Sequence, residues 1–219
     1  MSKPVLSALF EARAPSAVRL SQMKYADREN KPEAVINVGI GNVSLPTNPA
    51  MQKRMFNLDA PESPFNKGVI RYTATNGFGE TQDAFKHILK CQGFDTSKLS
   101  VVVTDGGSTG MELLIMGVCG PAATDEKPLM MIDPSYSNYI SFAERVGRKT
   151  VTVKRHLNED GKFSLPEIDK IEETIKANKP GALLVIPYDN PTGQFYDKET
   201  LVSLAELCVK YNMWMASDE

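Results

Sequence analysis

What most constrains this chain is an alternation that runs through its second half. Short apolar runs rich in β-branched residues take turns with longer stretches of helical period. Ser100 to Thr104 is followed by Ser108 to Cys119, and Leu129 to Ile132 by Ser135 to Val146. Thr150 to Val153 is followed by Leu165 to Ala177, Ala182 to Ile186 by Lys198 to Tyr211, and Met213 to Ala216 closes the series. Strands joined by helices form a largely parallel sheet that buries both of its faces under those helices. The pattern therefore predicts an α/β fold, a mostly parallel sheet with helices on both faces. Local signals agree: Leu201, Leu204, Ala205 and Cys208 share one face of the last helix. Ser164, ahead of Leu165-Pro166-Glu167, reads as an N-cap with proline in the first turn.

The first fifty residues differ. Pro15, Pro32, Pro46 and Pro49 are scattered through them with little sustained periodicity, so residues 1–50 read as an N-terminal arm and residues 51–219 as the main domain. With 42% hydrophobic and 24% charged residues in 219, the chain is apolar enough to bury one sizeable core. Its 25 Lys+Arg and 27 Asp+Glu are spread along the whole length, giving no basic stripe for nucleic acid and no polybasic anchor for a membrane. Met1 to Leu20 is broken by Lys3, Glu11, Arg13 and Arg19, and no stretch approaches a membrane span, so a cytoplasmic protein is expected. Cys91, Cys119 and Cys208 stand in apolar contexts and are expected to be buried, reduced thiols. With only His87 and His156 present, no zinc-type cluster and no metal chemistry is expected.

In parallel sheets ligands gather beyond the carboxyl ends of the strands. The residues there are Asp105 to Gly110, Asp133 to Tyr136, Tyr188 to Gly193 and Ser217 to Glu219. Asp105-Gly106-Gly107-Ser108-Thr109-Gly110 lies between a strand and a helix, where small residues let backbone N–H groups and a hydroxyl converge on an anion. Alone, it reads equally well as a tight turn with a serine cap. Asp189-Asn190-Pro191-Thr192-Gly193 alone reads as a strand-ending turn.

Together, and in this order, these segments resemble the successive cofactor motifs of the class I/II aminotransferases, the fold type I pyridoxal-phosphate enzymes. Ile36 to Gly41 resembles that family's N-terminal glycine motif, Tyr72 to Gly77 its tyrosine-containing segment, and Asp133 to Tyr136 its aromatic motif, so the resemblance runs from about Ile36 to Glu219. It implies that residues 1–50 include part of a small domain and that residues 51–219 are a partial cofactor-binding large domain. It implies pyridoxal 5'-phosphate as cofactor, with Asp218 paired to the pyridine nitrogen, Asn190 donating to the phenolic oxygen and Tyr136 stacked on the ring. Gly107, Ser108 and Thr109 would cradle the phosphate. Tyr72 would reach the phosphate of a neighbouring subunit, which implies a homodimer with shared active sites. Gly41 would let substrate approach the backbone; because Asn42-Val43-Ser44-Leu45 departs from the commonest form of that motif, the substrate pocket stays open.

The implied reaction moves an amino group from an amino acid to a 2-oxo acid. The family's Schiff-base lysine follows the segment that ends this chain, so the sequence reads as a truncated chain with that lysine expected beyond Glu219 and no activity alone. Lys198 and Lys210 fall on the preceding helix as solvated charges. A non-catalytic scaffold or regulatory module of the same fold, and a fold type I pyridoxal-phosphate lyase or decarboxylase, share the residues present here.

Overall fold

The structure is a computed structural model that describes residues 4–29 and 44–219, and it divides into two compact units, Met1–Arg71 and Tyr72–Glu219. The first unit contains α1 (Ala8–Glu11), α2 (Ala17–Glu29) and α3 (Pro49–Phe56). The sequence pattern did not predict α2. Its Val18, Leu20, Met23 and Tyr25 are all exposed and fall on opposite sides of the helix, Val18 with Tyr25 and Leu20 with Met23, leaving no single apolar stripe to give a period. Asn48 caps α3 by accepting from the Ala50 N–H at 2.9 Å, with Pro49 as the first helical residue.

In the second unit, α4 (Gly79–Cys91) and α5 (Gly107–Val118) precede a four-stranded sheet. Its strands are β1 (Leu129–Asp133), β2 (Thr150–Lys154), β3 (Ala182–Val185) and β4 (Trp214–Ser217), in the order β2-β1-β3-β4 and parallel throughout. The helices α6 (Asn138–Arg145), α7 (Ile168–Asn178) and α8 (Lys198–Lys210) make the crossovers. The expected α/β architecture is therefore present. No helix among the described residues is long and apolar enough to cross a membrane.

Strand alternation builds two cores. Met130, Ile132, Leu183 and Val185 face α7 and α8, where they pack with Ile171, Ile175, Leu204, Leu207 and Cys208. Leu129, Met131, Ala182 and Leu184 face the other way, onto Ile115 of α5 and Tyr139, Phe142 and Ala143 of α6. The chain leaves β1 towards one edge of the sheet and β3 towards the other, so α6 and α8 lie on opposite faces, as right-handed crossovers require. That reversal places a switch point between the carboxyl ends of β1 and β3.

Three local expectations are corrected. The run Ser100 to Thr104 pairs with no strand among the described residues. Val103 instead donates its N–H to the Asn76 carbonyl at 3.0 Å, and Val102 is 62% exposed. β-Branched composition suits a strand, but only a partner edge makes one. Ser164 caps no helix: α7 begins at Ile168, and the Ser164 hydroxyl accepts from the His156 N–H at 3.1 Å in a turn closed by the Leu157–Phe163 bridge. Cys91 is exposed, with its sulfur 3.4 Å from His87 Nε2, whereas Cys119 is half-buried and only Cys208 is buried.

Candidate active site at the carboxyl ends of the strands

The orientation of α5 follows from two glycines at the other end of the sheet. A Cβ on Gly181, just ahead of β3, would lie 2.1 Å from the Val118 carbonyl oxygen, so the last turn of α5 rests against the amino ends of the strands. Gly120 is equally close to the Glu126 carbonyl, 2.1 Å from where its Cβ would stand. A helix of 12 residues is about 18 Å long, enough to run the height of these strands. The first turn of α5 therefore lies at the carboxyl edge, where the loops after β1, β3 and β4 also emerge.

That first turn is Gly107-Ser108-Thr109, and it carries no acidic residue. Gly106 enters it at φ +110°, a conformation that glycine adopts freely, and makes no side-chain cap. Gly107 and Ser108 are exposed, and a Cβ on Gly107 would meet nothing within 4 Å. Open N–H groups at a helix N-terminus, beside a free hydroxyl and with no acidic residue in the first turn itself, suit an anion.

Tyr136 stands in the loop after β1, half-buried against the α5–α6 core. Its ring meets Tyr139 edge-on at 5.4 Å, and its phenolic oxygen accepts from Asn138 Nδ2 at 2.6 Å. Asn190 is exposed in the turn after β3. Gly193 N–H donates to the Asp189 carbonyl at 2.8 Å, and Asp189 N–H to that of Gln194 at 2.7 Å, so this turn is closed by its own backbone.

Asp218 follows β4, and its N–H continues the sheet pairing by donating to the Val185 carbonyl at 3.0 Å. Its carboxylate accepts a short hydrogen bond from the Tyr139 hydroxyl. Tyr139 is the site residue that sequence reasoning missed. It follows Tyr136 by three positions on an amphipathic helix face with Phe142 and Ala143, so it reads as a core aromatic. Burial first, and then its bond to Asp218, push the phenol well above the usual tyrosine range, keeping it a donor.

The geometry thus brings Gly107, Ser108, Thr109, Tyr136, Asn190 and Asp218 to one edge of one sheet. Tyr72 is fully exposed in the segment leading to Gly77. That segment is held by Gly77, whose φ is +98° and whose Cβ would come within 2.7 Å of the Val103 side chain. Gly41 and the segment Ile36 to Gly41 lie outside the described residues.

Comparison with known proteins gives the class to which this arrangement belongs. Residues 33–219 match the family described as aminotransferase class I and II, and the chain belongs to that family. It is 30% identical over 185 residues to the probable aspartate aminotransferase of Methanocaldococcus jannaschii, covering 84% of this chain and 45% of that protein. The alanine aminotransferase of Pyrococcus furiosus superposes with a TM-score of 0.79 at 24% identity, over 98% of this chain and 52% of that one. A PLP-bound C-S lyase from Staphylococcus hominis, solved with L-cycloserine, superposes with a TM-score of 0.67 at 21% identity, over 82% and 44%. The latter two share the fold. The chain spans about half the length of the curated relatives it matches.

Proposed function

We propose that this protein acts as a pyridoxal 5'-phosphate-dependent aminotransferase, moving an amino group from an amino acid to a 2-oxo acid. The observation that carries the reading is the placement, at the carboxyl end of one sheet, of an open helix N-terminus, an aromatic ring, an amide and a carboxylate. Family membership supports it, and the PLP-bound neighbour supports the cofactor alone. The residues suit the cofactor part by part. The open first turn of α5, with Gly107, Ser108 and Thr109, suits a phosphate ester. Tyr136 offers a face for a flat ring, and Asn190 offers an amide at the turn. Asp218 offers an acceptor for a protonated ring nitrogen.

The cofactor, when bound, supplies an electron sink for charge developing at the substrate's α-carbon. The protein's contribution is position and charge. Asp218, oriented by the Tyr139 hydroxyl, would be the residue to hold a proton on the ring nitrogen, through a charge-assisted hydrogen bond. Tyr136 would offer its face to the ring, and the α5 N-terminus would hold the phosphate end.

Residues 72–219 are then the cofactor-binding domain, and Tyr72, exposed at its start, is available to the phosphate of a partner in a homodimer. Gly41 belongs to the substrate side. A cytoplasmic setting accords with the reading. The test is an assay of the full-length gene product with pyridoxal phosphate, an amino-acid donor such as aspartate and a 2-oxo acid acceptor. Stoichiometric appearance of the new amino acid is expected. Release of ammonia or carbon dioxide without amine transfer, or no reaction across a donor panel, would overturn the assignment.

A further inference from the structure

Arg155 is the first residue past β2, and it does not point to solvent. Its guanidinium and the Asp189 carboxylate form an ion pair at 2.5 Å, each side chain only 2% exposed. The arginine is bound at three points. Its N–H donates to the Asp133 carbonyl at 2.8 Å, and its Nη2 donates to the Pro134 carbonyl at 2.9 Å and to Asp189 Oδ2. Because the strand order is β2-β1-β3-β4, the side chain starts at β2, crosses the end of β1 and finishes in the turn after β3. The two loops it joins carry Tyr136 and Asn190.

The surroundings fix the direction of the fork. The guanidinium carbon lies 5.6 Å from the Phe163 ring centre and 5.5 Å from that of Tyr196. Tyr196 is itself tied to the β3 loop by its N–H to the Pro187 carbonyl at 3.0 Å, and Phe163 exchanges backbone bonds with the Gln194 side chain at 2.8 and 3.0 Å. The oxygen of Asp189 that takes Arg155 also takes the Thr192 hydroxyl, so one carboxylate anchors the turn from inside and out. Arg155 Nε, by contrast, is buried without an acceptor. A buried pair gains little over apolar packing of the same volume, and a donor left unpaired makes this one dearer still. Stability alone is a poor reason for it.

We propose that Arg155 is a positioning residue, a clamp that holds the Tyr136 loop and the Asn190 turn at a fixed separation so that a flat cofactor ring meets both. The clamp stands on the contacts just given, and its use for a cofactor rests on the function proposed above. The test separates the two. The double variant Arg155→Met/Asp189→Leu replaces the pair by apolar side chains and is expected to melt near the parent temperature. In the cofactor-free full chain, hydrogen exchange at the Gly193 amide, which bonds the carbonyl of position 189, should accelerate about tenfold relative to the parent. With pyridoxal phosphate added, affinity should weaken on the order of tenfold, the scale for residues that orient a binding group, and the induced circular dichroism per bound cofactor should fall.

Arg155→Lys, which keeps the charge but not the planar guanidinium packed between Phe163 and Tyr196, should move all three readouts in the same direction by less. It serves as the deciding variant if the double variant fails to fold. Exchange in the turn at parent rates, in whichever variant folds, overturns the clamp. A parent chain that gives no induced dichroism with pyridoxal phosphate overturns the functional reading instead, and the exchange data then decide the clamp alone.

Discussion

Replacing Tyr139 by phenylalanine removes one oxygen and leaves the packing in place. The ring is 2% exposed, lies edge-on to Tyr136 at 5.4 Å and to Phe142 at 6.2 Å, and phenylalanine fills the same space. What disappears is the hydrogen bond to the Asp218 carboxylate. A bond to a charged group contributes about 1.5 to 3 kcal/mol, and because Asp218 is exposed enough for water to replace the phenol, the lower end applies. About 1.5 kcal/mol corresponds to roughly a tenfold change in any equilibrium that needs the carboxylate held in place. Urea denaturation should therefore show a loss of about 1.5 kcal/mol, and titration with pyridoxal phosphate at pH 7 a roughly tenfold weaker affinity. The pH dependence has a definite sign. The folded phenol is raised above its unfolded value, so its contribution is fully present below about pH 10 and is lost as pH rises beyond it. The variant should lack that alkaline loss. Parent-like affinity together with parent-like stability in Tyr139→Phe would refute the idea that this hydroxyl orients Asp218.

Ser108→Ala should weaken pyridoxal phosphate binding about tenfold while leaving the melting temperature unchanged or slightly raised, because the exposed hydroxyl has no structural task and alanine is the better helix former. Gly181→Ala should destabilise the fold by about 3 kcal/mol in chemical denaturation, since its Cβ would stand 2.1 Å from a backbone oxygen that cannot swing away. Glu172 accepts from Lys210 Nζ at 2.5 Å and from Tyr211 Oη at 2.6 Å, and these bonds, the lysine's first, hold its carboxyl down to about 2. Its contribution is present above the ordinary glutamate value of about 4.3 and is lost as pH falls through that lowered value, so Glu172→Gln should flatten the stability curve across that acid window.

The strands were legible because both faces of the sheet are buried. Leu129 to Ile132 and Ala182 to Ile186 are uninterrupted apolar runs, and the structure places β1 and β3 within a residue of them. The carboxyl-edge residues were legible because topology puts strand-end loops together whatever their separation in sequence. What resisted reading depends on a tertiary partner. Tyr139 meets Asp218 across 79 positions, and Arg155 meets Asp189 across 34, so neither pairing leaves a local pattern. Arg155, next to charged and polar neighbours after β2, reads as one more surface cation. Helix α2 escaped for the opposite reason, having helical backbone without an apolar face. The Ser100 to Thr104 run had strand composition without a strand beside it.

The central claim is that the carboxyl edge of this sheet is a cradle for pyridoxal phosphate, and a crystal structure of the protein with that cofactor tests it most directly. The account predicts the phosphate within hydrogen-bonding distance of the Gly107, Ser108 and Thr109 amides, the ring against Tyr136, the phenolic oxygen at Asn190 and the ring nitrogen at Asp218. A cofactor bound elsewhere, or bound at this edge with its phosphate away from the α5 N-terminus, would contradict it.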